Sequence, residues 1–249
     1  MPVVPALSSA RTPVKRVGHK GADALAQGNT AASFEAALHA GVDVIEFDVL
    51  RLRDGRIVLA HDLGDAARRE PLGLDEGLDL LAGEAYASLE LDVDLKWTGY
   101  EREVVEGLRA RGLAGRSLVS SMFTQTTDLI GELAPDLRRG WSVPRVRRDY
   151  TRRRWAVPAF FGARVMRSRL PAQAAAMLAA GRCEAVISHW MLVSPALLRT
   201  VHAGGAELWV WTVDDRARVE HLTALGVDAI ITNDPRLFAA ETPVTAGRV

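Results

Sequence analysis

The sequence predicts a (β/α)8 (TIM) barrel, and three observations lead to it. Short apolar runs rich in β-branched residues alternate with amphipathic helical patterns along the chain, which is typical of βαβ units in a parallel sheet. The 249 residues contain eight such runs, which suits one barrel. A doubly wound open sheet is the competing architecture, but no glycine-rich phosphate loop follows the first run.

The predicted strands, in chain order, are Val14–Gly18, Val44–Val49, Leu89–Leu95, Ser117–Ser121, Leu137–Ser142, Ala185–His189, Leu208–Val213 and Ala229–Thr232. Between them the segments "TAASFEAALHAG", "EREVVEGLRARG", "TTDLIGELAP", "PAQAAAMLAAG", "SPALLRTVHAGG" and "RARVEHLTALG" read as helices. Most of these end on glycine, and one begins on the capping pair Ser194-Pro195. We therefore expect one barrel domain over residues 13–240, with flexible tails at 1–12 and 241–249.

Composition narrows the class of protein. Hydrophobic residues make up 48% of the chain, which supports a sizeable core. Lys plus Arg and Asp plus Glu are balanced at 31 each, so we expect no nucleic-acid partner. A single cysteine, Cys183, excludes an internal disulfide and favours a reduced compartment. With no signal-peptide pattern, and no apolar run near the ~18 residues of a membrane span, the sequence predicts a cytoplasmic protein.

A hairpin is expected directly after the second strand, in "EFDVLRLRDGRIVLAHD", residues 46–62. A two-residue turn at Asp54-Gly55 would place Leu50 opposite Leu59 and Asp48 opposite His61. One face of the hairpin would then end in Glu46, Asp48 and His61, with directly opposed Cβ atoms about 5 Å apart.

Two carboxylates on one strand face are costly unless something neutralises them. A divalent cation does so, and oxygen ligands favour Mg²⁺ or Ca²⁺. A salt-bridged or protonated cluster and a strand edge facing water are the alternatives. His19 follows the first strand, where barrel enzymes place their chemistry. In "LELDVDLKW" one side carries Asp92, Asp94 and Lys96, either a further ligand and a phosphate-binding cation or a polar side facing solvent.

Together these stretches resemble the glycerophosphodiester phosphodiesterase family over nearly the whole chain. The matching segments are "VGHKGA", "GNTAASFEAALHAGVDVIEFDV", "DGRIVLAHD", "LDVDLK", "LWVWTVDD" and "GVDAIITNDP". The resemblance implies a (β/α)8 barrel that hydrolyses glycerophosphodiesters to glycerol 3-phosphate and an alcohol. It implies one divalent metal, Mg²⁺ or Ca²⁺, on Glu46, Asp48 and Asp94, with His19 and His61 as the acid–base pair.

Further positions are candidates for the same site. Lys20 and Lys96 are expected to bind the phosphate, and Trp211 to wall the pocket or pack in the core. Asn29 belongs to the matched "GNT" run. Asp62 can orient a ring nitrogen of its neighbour His61 or cap the following turn. The remaining candidate is His189, at the catalytic face by position. His39, His202 and His221 fall in helical patterns and are expected at the surface.

The chain departs from the family pattern at four places. Lys20 replaces an arginine, Gln27-Gly28 a Pro-Glu pair, Asp94 a glutamate, and "SSMF" from Ser120 a Ser-Phe pair. Lysine keeps the charge but loses the bidentate geometry for phosphate. The Asp94–Lys96 spacing and the 13-residue step from Asp48 to His61 also resemble spider-type sphingomyelinase D and lysophospholipase D enzymes. Two alternatives therefore stay open: lysophospholipase D activity on lysophospholipids, and a barrel that binds phosphodiesters without turnover.

A long loop is expected after the fifth strand, over residues 143–167. Eight arginines and one acid lie between Arg138 and Arg154, and Phe160 and Phe161 follow. Arginine beside exposed aromatics suits a lysolipid or peripheral contact with an anionic membrane. An amphipathic helix with solvated arginines is the alternative.

Overall fold

A computed structural model describes residues 13–145 and 156–239. Nine strands form one sheet: β1 (Lys15–Gly18), β2 (Val44–Arg51), β3 (Ile57–Leu59), β4 (Glu90–Leu95), β5 (Ser117–Ser121), β6 (Arg138–Val143), β7 (Ala185–His189), β8 (Glu207–Trp211) and β9 (Ala229–Thr232). All except β3 run parallel, and β1 pairs with both β2 and β9, which closes the sheet. The predicted barrel is confirmed.

Helices connect the strands on the outside of the barrel. They are α1 (Ala31–His39), α2 (Leu63–Ala67), α3 (Leu74–Leu81), α4 (Glu101–Ala110), α5 (Thr124–Leu133), α6 (Ala156–Ala179), α7 (Pro195–Ala203) and α8 (Arg216–Leu225). The sequence reading missed α2 and α3, because each is short and contains a glycine. No helix within 13–145 and 156–239 is long and apolar enough to cross a bilayer.

The hairpin after β2 is confirmed, but its predicted register is wrong by one residue. Leu50 pairs with Val58, not with Leu59. A two-residue type I′ turn needs a positive φ at both central residues, and only Gly55 has one, at 92°. The loop therefore has three residues, closed by the Leu52 N–H on the Arg56 carbonyl at 2.8 Å. As a result, His61 is not directly opposite Asp48.

The predicted long loop after the fifth barrel strand is partly helix. From Ala156 onward the 143–167 segment belongs to α6, which continues through Pro171 to Ala179, two residues before the end of the predicted helix. The arginine-rich residues 146–155 lie outside the described residues, as do the predicted tails 1–12 and 241–249.

The side chains inside the barrel change from charged to apolar to polar along its axis. At the N-terminal end, alternate strands supply a charged layer of Lys15, Glu90, Arg138 and Glu207. Lys15 Nζ is 2.9 Å from Glu90, and an Arg138 nitrogen is 2.6 Å from Glu207. An apolar layer follows, formed by Val17, Val44, Leu118, Ala185, Ile187, Trp209, Ala229 and Ile231. The C-terminal end is polar, which leaves that end for chemistry.

Candidate active site

Three carboxylates meet at the C-terminal end of the barrel. Glu46 and Asp48 project from β2, and Asp94 pairs with Asp48 across the β2–β4 ladder. One oxygen from each lies within 4.8 Å of the others. All three residues are buried, so their charges need compensation inside the protein.

Lys96 supplies part of that compensation. Its Nζ lies 2.5 Å from Asp48 Oδ1 and 2.5 Å from Asp94 Oδ2. Burial by itself lowers the pKa of Lys96, but the neighbouring carboxylates raise it well above its ordinary value. Burial also raises the pKa of Glu46 and of Asp94. For Asp48, burial acts in the same direction, but the charges of Lys96 and the histidines dominate and lower its pKa.

The cluster has the charge and the free oxygens to hold a divalent cation. When all three carboxylates are ionised, they and the Lys96 ammonium together carry two negative charges, which one divalent ion would balance. Asp94 Oδ1 is buried and accepts no hydrogen bond, so a ligand oxygen is available. A donor set of carboxylate oxygens suits a hard cation.

The loop between β1 and α1 orients two of these carboxylates. Asn29 is fully buried and adopts a left-handed backbone, with φ of 58°. Its Nδ2 donates to Asp48 Oδ2 at 2.8 Å, and its Oδ1 accepts from the Asp48 N–H at 3.0 Å. The Lys20 N–H donates to Glu46 Oε2 at 2.7 Å. The Lys20 ammonium pairs with Asp23 at 2.5 Å.

His19 follows β1 and borders the cluster. Its side chain is 18% exposed, and its Nε2 is 3.9 Å from Glu46 Oε2. Burial lowers the pKa of His19 to about 4, so the ring is neutral at pH 7. Its Nδ1 lies 2.6 Å from Asn233 Oδ1. The next residue, Asp234, caps the short turn that begins at Pro235 and accepts from the Arg236 N–H at 3.1 Å.

His61 stands on the rim, in contrast to His19. Its side chain is 53% exposed, with Nδ1 3.2 Å from Asp62 Oδ2. Asp62 also accepts from the Asp65 N–H at 2.8 Å and caps α2, so it contacts both the ring and the following helix. His61 lines a cavity of about 290 Å³ together with Lys20 and Arg68. A cavity that borders His61 offers room for part of a substrate.

A comparison of this sequence with known protein families agrees with the geometry of the site. Residues 19–71 and 89–237 match the glycerophosphoryl diester phosphodiesterase family. The chain belongs to this family. It is therefore a phosphoric diester hydrolase. The matched ranges include both histidines, the three carboxylates and both candidate lysines.

Individual relatives of this phosphodiesterase family agree in length and fold. A glycerophosphodiester phosphodiesterase of Caldanaerobacter subterraneus subsp. tengcongensis is 24% identical, over 88% of this chain and 93% of the relative. A crystal structure of a putative glycerophosphoryl diester phosphodiesterase from Silicibacter pomeroyi has a TM-score of 0.71 at 21% identity, covering 90% and 91% of the two chains. An Oleispira antarctica phosphodiesterase, solved with the product sn-glycerol-3-phosphate, has a TM-score of 0.68 at 21% identity, covering 90% and 94%.

Aromatic side chains border the phosphodiesterase site on the far side of the barrel. Trp211, at the end of β8, donates through its Nε1 to the Ile187 carbonyl at 3.2 Å. Its ring meets that of His189 edge-on, at 5.2 Å between centroids. His189 also accepts from the Met191 N–H at 3.3 Å. Both residues therefore lie at the catalytic face, half-buried. The surface positions of His39, His202 and His221 are confirmed.

Two further acids, Asp92 and Asp214, belong to the surroundings of the site. Asp92 lies two residues before Asp94 on β4 and is buried. Its Oδ1 accepts no hydrogen bond. Burial raises the pKa of Asp92 to about 8, so the carboxyl is neutral at pH 7. Asp214 lies just beyond β8 and is hydrogen-bonded to Asn233. The alternation of "LDVDLK" pointed to Asp92, but no local pattern marked Asp214.

Proposed function

We propose that this protein hydrolyses glycerophosphodiesters to glycerol 3-phosphate and an alcohol, with one divalent cation held by Glu46, Asp48 and Asp94. One observation carries the proposal: three buried carboxylates and an ammonium lie beside a neutral histidine at the catalytic end of a barrel. Mg²⁺ and Ca²⁺ both suit these oxygen ligands. When bound, the ion supplies Lewis-acid charge to a non-bridging phosphate oxygen.

The protein's own cations complete the phosphate site. A phosphodiester monoanion gathers negative charge as the new bond to phosphorus forms, and fixed positive charge stabilises that state. Lys96 is held in the cluster, and Lys20 lines the cavity that also borders His61. We assign both lysines to the phosphate oxygens.

The two histidines divide the proton transfers in this proposal. His19 is neutral at pH 7 and takes the proton from the attacking hydroxyl, of water or of the substrate itself. An oxygen–phosphorus bond forms, and the bond from phosphorus to the alcohol oxygen breaks. His61, on the rim, gives that oxygen its proton. Where the attacking hydroxyl is the substrate's own, this step gives a cyclic phosphate, and water then opens it to glycerol 3-phosphate with the two histidines in exchanged roles. General acid–base catalysis of this kind contributes roughly 10²–10⁴-fold in rate.

A second candidate function is lysophospholipase D activity, and an aromatic pair that includes the exposed Trp97 favours it. Trp97, just after β4, is 49% exposed, and its ring lies 6.0 Å from that of Phe123. The Arg145 guanidinium lies 4.3 Å from the centre of the Phe123 ring. An apolar surface with a cation beside it suits an acyl chain attached to a phosphodiester.

Two further predictions also remain proposals. One is that residues 143–167 contact an anionic membrane, and the other is that the protein is cytoplasmic.

Turnover of glycerophosphocholine and of lysophosphatidylcholine, each with and without a chelator, tests these proposals. We expect glycerophosphocholine to be hydrolysed, and chelation to abolish the activity until Mg²⁺ or Ca²⁺ is restored. Chelation also lowers the melting temperature, because the carboxylates lose their counter-charge.

Each alternative has its own outcome in this experiment. Hydrolysis of the lysolipid alone would establish the second candidate. Binding of both compounds without turnover would indicate the non-catalytic barrel. Full turnover by chelated protein, or by Asp48→Asn or Glu46→Gln, would refute the metal assignment.

A further inference from the structure

We propose that Asp214 is a positioning residue for His19. Acting through the side chain of Asn233, it holds the imidazole in the tautomer that carries its proton on Nδ1. The lone pair of Nε2 is then left on the side of the carboxylate cluster. This inference deepens the proposed function, because it rests on the assignment of His19 as the group that accepts a proton.

The backbone brings the three residues together. The His19 N–H donates to the Thr232 carbonyl at 2.8 Å, where β1 runs beside β9. His19 and Asn233, which follow β1 and β9, are therefore neighbours at the C-terminal end of the barrel. Asp214 reaches the same point from the end of β8, the other neighbour of β9.

Donors occupy both oxygens of Asp214. Oδ1 accepts from the Asn233 backbone N–H at 2.8 Å and from the Thr232 hydroxyl at 3.0 Å. The Thr232 hydroxyl itself accepts from the Asp234 N–H at 3.1 Å, so its proton is free to point at Asp214. Oδ2 lies 2.6 Å from Asn233 Nδ2. Although Asp214 is exposed, its contacts within the fold are all with donors.

These contacts determine the orientation of the Asn233 amide. An ionised carboxylate only accepts hydrogen bonds, so the amide atom facing it must be the NH2 group. The carbonyl oxygen of Asn233 is then the atom that faces His19, at 2.6 Å from Nδ1. Because that oxygen also only accepts, His19 Nδ1 must donate, and in a neutral ring Nε2 then carries the lone pair.

A purely structural role for Asp214, as a clamp between the ends of β8 and β9, makes a different prediction for Asp214→Asn. In that variant the side-chain oxygen at position 214 still accepts hydrogen bonds from the Asn233 N–H and the Thr232 hydroxyl. The new NH2 group then faces the Asn233 side chain. Asn233 must then turn over and present its own NH2 group to His19 Nδ1. That nitrogen has to accept, and the proton moves to Nε2. A clamp role leaves the tautomer unchanged.

The experiment combines nitrogen-15 NMR of the histidine rings with steady-state kinetics on the full chain. His19→Gln identifies the His19 signals. We expect Nδ1–H in the native protein and Nε2–H in Asp214→Asn, whose kcat for glycerophosphocholine falls about tenfold or more, since correct protonation of the base is lost. The inhibition constant of glycerol 3-phosphate changes little.

A double variant in which the two residues are exchanged tests the series of hydrogen bonds from Asp214 through Asn233 to His19. In Asp214→Asn with Asn233→Asp, the new amide donates to the new carboxylate, which again accepts from His19 Nδ1. We expect the Nδ1–H tautomer and most of kcat to return. The matched control is Asp215→Asn, which changes an N-cap that accepts from the Arg218 N–H at 2.9 Å and leaves both readouts unchanged.

Three results would overturn the positioning role: an Nε2–H tautomer in the native protein, an unchanged tautomer in Asp214→Asn, or no recovery in the swapped variant. The first and third results can be obtained even if the Asp214→Asn single variant does not fold. The tautomer is read without substrate. If it switches as expected while the native protein hydrolyses no glycerophosphodiester, the proposed function fails and the positioning role stands.

Discussion

His19 and His61 have unlike surroundings, and the difference suits unlike tasks. His19 is largely enclosed beside Glu46, with its Nδ1 occupied by Asn233. His61 is open to solvent beside Asp62, at a cavity that can admit an alcohol. A leaving group has to depart into space and solvent, whereas a nucleophile has to be held near phosphorus. The exposures of the two rings therefore favour His61 as the proton donor to the alcohol.

Removal of either ring tests the pair. We expect His19→Ala and His61→Ala each to lower kcat roughly 10²–10⁴-fold on glycerophosphocholine. Groups that act as a unit give non-additive losses, so the double variant should be little worse than the less active single variant. His39→Ala, at the exposed end of α1, is the control and should keep normal rates. Near-normal rates in both single variants would refute the acid–base assignment.

Asp92 gives the protein a specific dependence of stability on pH. Its pKa is raised to about 8 in the folded state, from 3.8 when unperturbed. Between these values the folded state keeps a proton that the unfolded chain releases, so the free energy of unfolding falls as pH rises. Asp92→Asn removes this penalty. In chelated protein, we expect the stability advantage of the variant to grow between pH 5 and 8, by at most about 1.4 kcal/mol per pH unit.

Urea unfolding at several pH values measures that difference. Glu106→Gln, on the exposed face of α4, serves as the control and should follow the native curve. If the Asp92→Asn and native stabilities ran parallel across this pH range, Asp92 would have to be ionised in the folded protein.

The hairpin of β2 and β3 is the element where the sequence was read almost correctly. Alternation along "EFDVL" placed Glu46 and Asp48 on one face because side chains in a strand alternate with a period of two. The register failed because Asp54-Gly55 is compatible with two loop lengths, and only the backbone angles distinguish them. Asp214 and Asn233 are 19 positions apart, and their contact depends on how two strands end.

Gly55 should govern the stability of this hairpin. Its φ of 92° lies in the left-handed region, which costs a residue with a Cβ about 1–2 kcal/mol. We expect Gly55→Ala to reduce the free energy of unfolding by about that amount. Gly115 has open space around its Cβ position and no positive φ, so Gly115→Ala is the matched control and should be nearly neutral. Equal effects of the two substitutions would argue against the three-residue loop.

Helix α6 carries the described part of the segment that was expected to meet a membrane. Residues 164–169 are all exposed, including Val165 and Met166. We expect Val165→Ser with Met166→Ser to weaken binding to anionic vesicles, without changing hydrolysis of glycerophosphocholine. Binding by the native protein should also weaken with salt, because screening shortens the reach of charge. Vesicle binding that is unaffected by both treatments would exclude this surface as the contact.

On the scale of the whole molecule, the two ends of the barrel use charge differently. The N-terminal layer holds two acids and two bases in mutual contact. The C-terminal cluster holds more acids than its lysine can balance. The sequence predicted the barrel because its eight alternations each report on one strand. Spacing alone could not identify which residues share the charged N-terminal layer, because that layer joins residues that are far apart in the chain.

The position of α2 affects how the enzyme should respond to heat. None of its residues is fully buried, and it begins two residues after His61, in the segment that leaves the edge strand β3. Segments with few buried contacts open locally at low free energy, before the molecule unfolds. We therefore expect His61, half of the proposed acid–base pair, to lie in a segment that opens more easily than the barrel, which holds His19 and the carboxylates. We expect activity to fall at temperatures below the melting transition and to return on cooling. Amide hydrogens of residues 60–68 should exchange with solvent faster than those of β2, and equal exchange rates would show that the rim and the barrel open together.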